Sequence, residues 1–115
     1  MPLDGAALEM PWIALEKLDR IFALLNTADR WCQGAMERDG ERRCIIGAMR
    51  AAHAELLLER PILHAIKEVT GYNYRCIESF NDSKATTHAL VLEVLAKTRE
   101  NLRNGADRGW SGLVD

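Results

Sequence analysis

The sequence lacks the features that mark membrane, secreted and nucleic-acid-binding proteins. No uncharged apolar run approaches the ~20 residues that a helix needs to span a bilayer. The first residues, Met1–Gly5, carry no basic segment followed by a long apolar run, as a secretory signal would. A formal net charge of -2 provides no excess of basic side chains for phosphates. We therefore expect a cytoplasmic protein that binds neither a membrane nor nucleic acid.

Cysteine is scarce, and its spacing argues against the usual cysteine-based sites. The three cysteines, Cys32, Cys44 and Cys76, are odd in number and form no Cys-x-x-Cys pair. This pattern argues against a disulfide framework and for a reducing compartment. Zinc ligands usually occur in pairs two to four residues apart, and no two of the six cysteines and histidines lie that close together. We expect no metal site and no cofactor.

What the sequence does contain is apolar residues at helical spacing. Hydrophobic residues make up 48% of the chain and charged residues 28%, which is typical of a folded domain. Recurrence every three to four positions predicts helices over residues 12–25, 45–58, 62–69 and 87–103, with a single turn over 76–80. Pro11 suits the first position of a helix. Arg60-Pro61 predicts the end of the second helix, and Asn104-Gly105 the end of the last.

The segment between the first two helices has no clear period. Gly34 weakens any helix there by roughly 1 kcal/mol relative to alanine, and Asp39-Gly40 is a turn signal compatible with a small hairpin or an irregular loop. We predict an all-α fold: a small irregular or orthogonal bundle of four to five helices, with at most one short hairpin around Asp39-Gly40. One helical domain is expected over residues 1–105, and residues 106–115 form a tail that is flexible or docked.

One set of residue types would suit thiol chemistry. Cys44 directly precedes a predicted helix, where the helix dipole and unpaired N–H groups lower a thiol pKa. His88 is a candidate base that Asn81 or Asp82 would orient, in a Cys-His-Asn arrangement. The candidate catalytic residues are therefore Cys44, His88 and Asn81.

The same residues also have structural interpretations. Cysteine often packs as a small hydrophobic side chain, and asparagine or aspartate before a helix commonly bonds to nearby backbone N–H groups.

Large aromatic side chains near the chain ends often cover a core edge or contact a partner. The candidate binding residues are Trp31, Gln33, Asp82 and Trp110.

Three ordered clusters of residues resemble a known group of proteins. They are Trp31-Cys32-Gln33-Gly34-Ala35 with Arg38-Asp39-Gly40; Cys44-Ile45-Ile46-Gly47-Ala48; and Phe80-Asn81-Asp82 with Thr87-His88. The chain resembles, from about Ile13 to Leu102, small bacterial and phage proteins, largely actinobacterial, that carry a domain of unknown function. The resemblance implies no activity, and it draws attention to Trp31, Gln33, Cys44, Asn81 and His88.

Two functions follow as hypotheses. The first is a cytoplasmic interaction or regulatory module without catalysis, which binds a protein partner or forms a homo-oligomer. The second is a small thiol-dependent enzyme or ligand-binding protein that uses Cys44, His88 and the Asn81-Asp82 pair. The second requires Cys44 and His88 to share a pocket within hydrogen-bond reach, whereas the first requires exposed apolar surface.

Overall fold

The computed structural model describes the backbone of residues 2–107 and the side chains of residues 12–105. Within this range the chain is mostly helical, which confirms the all-α prediction. The elements, in chain order, are α1 (Pro2–Leu24), a 3₁₀ helix (Ala28–Arg30), β1 (Glu37–Arg38), β2 (Arg42–Arg43), α2 (Ile45–Ala51), α3 (Glu55–Thr70), α4 (Ile77–Asn81) and α5 (His88–Asp107).

Helix α5 is the axis of the core. It packs against both α1 and α3, and it runs antiparallel to α1, since His88 contacts Leu25 at one end and Arg99 lies 3.4 Å from Asp19 further along. Apolar side chains from all five helices close the core. Its largest fully buried members are Phe80, Leu18, Ile21, Leu25, Ile45, Met49, Leu58, Ile62, Ile66, Ile77, Leu95 and Leu102.

The first helix is longer than its sequence pattern predicts. It begins at Pro2, so Pro11 lies inside α1 instead of at its first position. Proline removes one backbone hydrogen bond inside a helix, but it fixes a helical φ angle. The predicted start of this helix at residue 12 was therefore wrong. The apolar spacing that begins near Trp12 identifies only the part of α1 that packs on the core.

The predicted helix over residues 45–58 is two helices, and Pro61 does not end the second. His53 adopts a left-handed conformation with φ 54. The amide of Ala54 donates to the Met49 carbonyl and the amide of His53 to the Arg50 carbonyl, which is the Schellman arrangement that ends a helix. Helix α3 then begins at Glu55 and contains Pro61.

The sequence indicated some of the remaining helix ends correctly and others not. Gly71 ends α3 in a left-handed conformation with φ 73, and the last helical residue, Thr70, lies close to the predicted end at residue 69. Thr87 caps α5, because its hydroxyl oxygen accepts from the Leu90 amide. Asn104-Gly105 does not end α5, which continues to Asp107, so that prediction was wrong. Trp110 and the tail beyond Asp107 lie outside the described residues.

The segment that was ambiguous in sequence contains the small hairpin. Strands β1 and β2 pair antiparallel, with Arg38 opposite Arg42, across the predicted Asp39-Gly40 turn. The backbone then returns to Trp31, which bridges to Arg43. The hairpin therefore lies directly before α2 and holds the loop from Trp31 to Met36 against it.

Candidate functional site

Asn81, the last residue of α4, lies at the centre of a hydrogen-bonded cluster. Its side chain is fully buried. The Oδ1 atom accepts from Trp31 Nε1 at 2.8 Å and from the Ile45 amide at 3.0 Å. The Nδ2 atom donates to the Cys32 carbonyl at 3.1 Å and to Asp82 Oδ1 at 2.9 Å. A primary amide has two donors and two acceptor lone pairs, so Asn81 uses its full capacity inside the protein.

The bond from Ile45 shows what Asn81 does for α2. The first amides of a helix have no partner within it. Cys44 is the residue before α2, and its sulfur accepts only weakly, from the Gly47 amide at 3.3 Å. The Asn81 oxygen supplies the stronger acceptor, although Asn81 lies 36 positions away in the chain.

A second set of bonds ties the loop after Trp31 to the end of α4. Gln33 Nε2 donates to the carbonyls of Asn81 and Ser83, at 2.8 and 2.9 Å. The Gly34 amide donates to Asp82 Oδ1 at 2.9 Å. We call the side chains of Trp31, Gln33, Asn81 and Asp82, with the backbone groups that they bind, the Asn81 cluster.

Cys44 does not have the environment of a reactive thiol. Its side chain is buried, with 4% exposure. Burial raises the pKa of the Cys44 thiol, and the Gly47 amide only partly opposes this effect. The position before a helix led us to expect a lowered pKa. That expectation was wrong because desolvation outweighs the contribution of the helix start.

His88 is engaged elsewhere. Its Nε2 atom lies 2.6 Å from the Leu25 carbonyl oxygen, and because a carbonyl only accepts, Nε2 carries the proton and donates it. The imidazole ring lies 6.3 Å from the Trp31 ring, between centroids. Within the described residues no hydrogen bond joins His88 to Cys44, Asn81 or Asp82.

The structure thus brings together four of the seven predicted site residues. Trp31, Gln33, Asn81 and Asp82 bind one another or adjoining backbone groups, and His88 reaches this cluster only through the Trp31 ring. Trp110 lies outside the described residues. Among the described side chains, Cys44, His88 and Asn81 are not joined by hydrogen bonds into a Cys-His-Asn arrangement. The cluster instead connects α4 to the start of α2 and to the loop before the hairpin.

A cleft beside α4 was not identified from the sequence. It has a volume of about 650 Å³ and is lined by Tyr72, Asn73, Tyr74, Arg75, Ser79 and Ser83. The Tyr72 and Tyr74 rings lie 4.6 Å apart, and Tyr74 meets Phe80 edge-on at 5.4 Å. Nothing in the spacing of residues 72–75 indicates that Ser79 and Ser83 line the same cleft.

The described residues contain neither a metal-binding group nor a helix that could cross a membrane. Among the described side chains, no three histidine, cysteine or acidic residues form a group that could hold a metal ion. No described helix combines the length and the apolar character needed to cross a membrane.

Comparison with known proteins agrees with the extent of the helical core. No curated protein and no solved structure matches the sequence. A family model, described as a family of unknown function (DUF6197), matches residues 13–101, which includes the Asn81 cluster, the cleft and every helix at least in part. The predicted membership of a domain family of unknown function is therefore confirmed, and this chain belongs to the DUF6197 family.

Proposed function

We propose that the protein is an interaction or regulatory module without catalysis, which acts by binding a protein partner or a second copy of itself. One observation carries the proposal: the chemically versatile side chains are engaged internally, whereas several large apolar side chains face solvent. An enzyme would need the reverse distribution, with its reactive groups accessible to a substrate.

The internal engagement is extensive. Asn81 has no hydrogen-bonding capacity left, Cys44 is buried with a raised pKa, and His88 Nε2 is bonded to the Leu25 carbonyl. Each group has a structural task that accounts for its residue type.

The exposed apolar surface is spread over three elements. Leu56 at the start of α3 is 98% exposed, Trp12 on α1 is 68% exposed, and Tyr72 in the α3–α4 loop is 62% exposed. A single exposed apolar residue is ordinary, but aromatic side chains are enriched where proteins bind each other. Such residues supply most of the binding energy in many interfaces.

The proposal places the protein in the cytoplasm of a bacterium or of a phage-infected cell. Cys32, Cys44 and Cys76 are all free thiols, which suits a reducing compartment. The bacterial or phage origin rests on the sequence resemblance alone.

The test is selection of binding peptides from a random display library on the folded protein. A matched bait carries Trp12→Ser, Leu56→Ser and Tyr72→Ser, three changes at exposed positions that leave the core intact. We expect the selected peptides to bind the wild-type protein and to bind the triple variant at least about tenfold more weakly, as loss of interface hot spots would cause.

Self-binding is measured in parallel by sedimentation over a range of protein concentrations, with the same pair of proteins. Failure of both measurements, with no enriched peptide and a monomer at every concentration, would contradict the proposal.

A further inference from the structure

The cleft beside α4 is broad, open to solvent and based on packed aromatic rings. Its volume is about 650 Å³. Tyr74 is held from two sides, since its ring packs on the fully buried Phe80 and its hydroxyl lies 3.5 Å from Ser83 Oγ. Tyr72 lies against this fixed ring. An incoming ligand would therefore meet an aromatic surface that is already ordered.

The residue types in the cleft are those of protein-binding loops. Tyrosine, serine and asparagine dominate the recognition loops of antibodies, with arginine at positions of high binding energy. All six residues that line the cleft belong to these four types. Tyrosine contributes a large contact area at a low cost in conformational entropy, and Tyr72 presents such an area to solvent.

Polar side chains in the cleft have hydrogen-bonding capacity that the described residues do not use. Ser83 Oγ accepts from the Ala85 amide at 3.2 Å and lies near the Tyr74 hydroxyl, and no acceptor for its own proton is recorded among the described residues. Asn73 is exposed. The cleft therefore offers donors and acceptors suited to the backbone of an extended peptide.

The charges of the residues that line the cleft favour an acidic peptide as its ligand. None of the six lining residues is acidic, and Arg75 is exposed with no carboxylate partner in the part of the chain that the structure describes. Arg42 pairs with Asp39 and Arg50 with Glu55, whereas Arg75, like Arg60, has no such ion pair among the described residues, and it is the arginine that lines the cleft. Lys84, also exposed, follows Ser83. The acidic residues nearest in sequence, Glu78 and Asp82, do not line the cleft, and Asp82 is already bound to the Gly34 amide. A carboxylate in the ligand would supply the partner that Arg75 lacks.

We propose that this cleft binds an acidic peptide segment of a protein partner, with an apolar or aromatic side chain of the segment against Tyr72 and a carboxylate on Arg75. This inference rests on the proposed function and specifies the surface and the chemistry of the partner.

The experiment uses the full chain and four fluorescently labelled peptides of equal length: acidic with a tryptophan, acidic without one, basic with one, and neutral with one. A single-stranded oligonucleotide is the fifth probe, because tyrosines and arginine can also bind nucleic acid. We expect the acidic tryptophan peptide to bind most tightly, and its affinity to fall with added salt.

Two variants test the surface, each with a matched control. Tyr72→Ala is compared with Met36→Ala, at an exposed apolar residue before β1, and Arg75→Glu with Arg60→Glu, which reverses an exposed charge on α3. All four positions are exposed, so we expect all four variants to fold. Binding should weaken about tenfold or more in Tyr72→Ala and Arg75→Glu, and it should be unchanged in both controls.

Other outcomes separate this inference from the proposed function. Equal or tighter binding of the basic peptide, the neutral peptide or the oligonucleotide would overturn it. Display-selected peptides that are insensitive to Tyr72→Ala and Arg75→Glu would also overturn it, while the proposed function stands. Loss of binding in Met36→Ala or Arg60→Glu would place the ligand outside the cleft and would overturn the inference. If neither defined nor selected peptides bind and the chain does not self-associate, both proposals fail.

Discussion

Asn81 shows how a single buried amide is accommodated at a junction of three segments. Burying an amide without hydrogen bonds is costly, but each donor and acceptor of Asn81 has a partner within 3.1 Å. Two of these partners, the Ile45 amide and the Trp31 indole N–H, would otherwise be unpaired donors beside the core. The residue therefore satisfies groups that its neighbours cannot satisfy themselves.

We expect Asn81→Ala to lower the free energy of unfolding by about 2–4 kcal/mol, because buried donors lose their acceptor. The measurement is urea denaturation followed by circular dichroism. Asn73→Ala, at an exposed asparagine, is the control and should change stability by no more than about 0.5 kcal/mol. A change at Asn81 as small as that of the control would show that the cluster contributes nothing to stability.

The three thiols should differ in reactivity. We expect Cys76 to be labelled first in the native protein, with a pKa below that of an ordinary thiol, because the Ser79 hydroxyl and the Ser79 amide stabilise its thiolate. Labelling should therefore accelerate at lower pH than for a free thiol, and Ser79→Ala should move this rise to higher pH. Cys32 and Cys44 are buried and should react only after unfolding.

Mass spectrometry of the labelled protein, sampled across pH, identifies the reacting residue. Rapid labelling of Cys44 in the native state, abolished in His88→Ala, would contradict this order and restore the thiol-enzyme hypothesis.

Helix α2 depends on close contact with the hairpin. A Cβ atom added at Gly47 would meet the Met36 carbonyl oxygen at 2.1 Å, a distance that neither backbone can accommodate without moving. The same carbonyl accepts from the Cys44 amide at 3.2 Å. Glycine is therefore required for the approach of α2 to the residue before β1.

Helix propensity alone predicts that Gly47→Ala would stabilise the protein by about 1 kcal/mol. We expect the opposite, a loss of about 1–3 kcal/mol in the free energy of unfolding, because the added methyl group displaces the hairpin. Ala51→Gly, at an exposed position of the same helix, should cost about 1 kcal/mol and shows the ordinary effect. Stabilisation by Gly47→Ala in urea denaturation would mean that the contact is looser than described.

The helix cores were predictable because apolar spacing reports which face is buried, whereas several boundaries were not. The end of α2 depends on His53 in a left-handed conformation, which glycine or asparagine would have signalled in the sequence. Pro61 is a strong stop signal that packing overrides, since α3 buries apolar residues on both sides of it. Asn104-Gly105 is another such signal, and the α5 backbone nevertheless continues to Asp107.

The candidate site was predictable in its residues but not in its bonds. Asparagine before a helix suggests a local turn, yet Asn81 bonds to Trp31 and Ile45, 50 and 36 positions away. No local pattern encodes such a contact. The cleft was missed for a different reason: its residues all lie between positions 72 and 83, but they face one another only because the loop after α3 folds beside α4.

On the scale of the whole molecule, His88 joins the first helix to the last. Its ring N–H donates to the Leu25 carbonyl, just beyond the end of α1, from the first residue of α5. Carbonyls at a helix end have no partner within the helix, so this bond both completes α1 and fixes the antiparallel pair.

We expect His88→Ala to lower the free energy of unfolding by about 1–2 kcal/mol, through the unpaired carbonyl and the lost contact with Trp31. His64→Ala is the control, because the His64 side chain is 51% exposed and should contribute no more than about 0.5 kcal/mol. Thermal and urea denaturation measure both. Equal effects of the two substitutions would show that the His88–Leu25 bond does not stabilise the pairing of α1 with α5.

The long sequence separations within the Asn81 cluster have a consequence for folding kinetics. Bonds between segments 36 to 50 positions apart require that large loops close first, so they form after the local turns of α3 and α5. Interactions that are absent from the transition state act on the rate of unfolding and leave the rate of folding almost unchanged. The bonds of Asn81 would then slow unfolding and lengthen the lifetime of the native state, with little effect on the rate of folding.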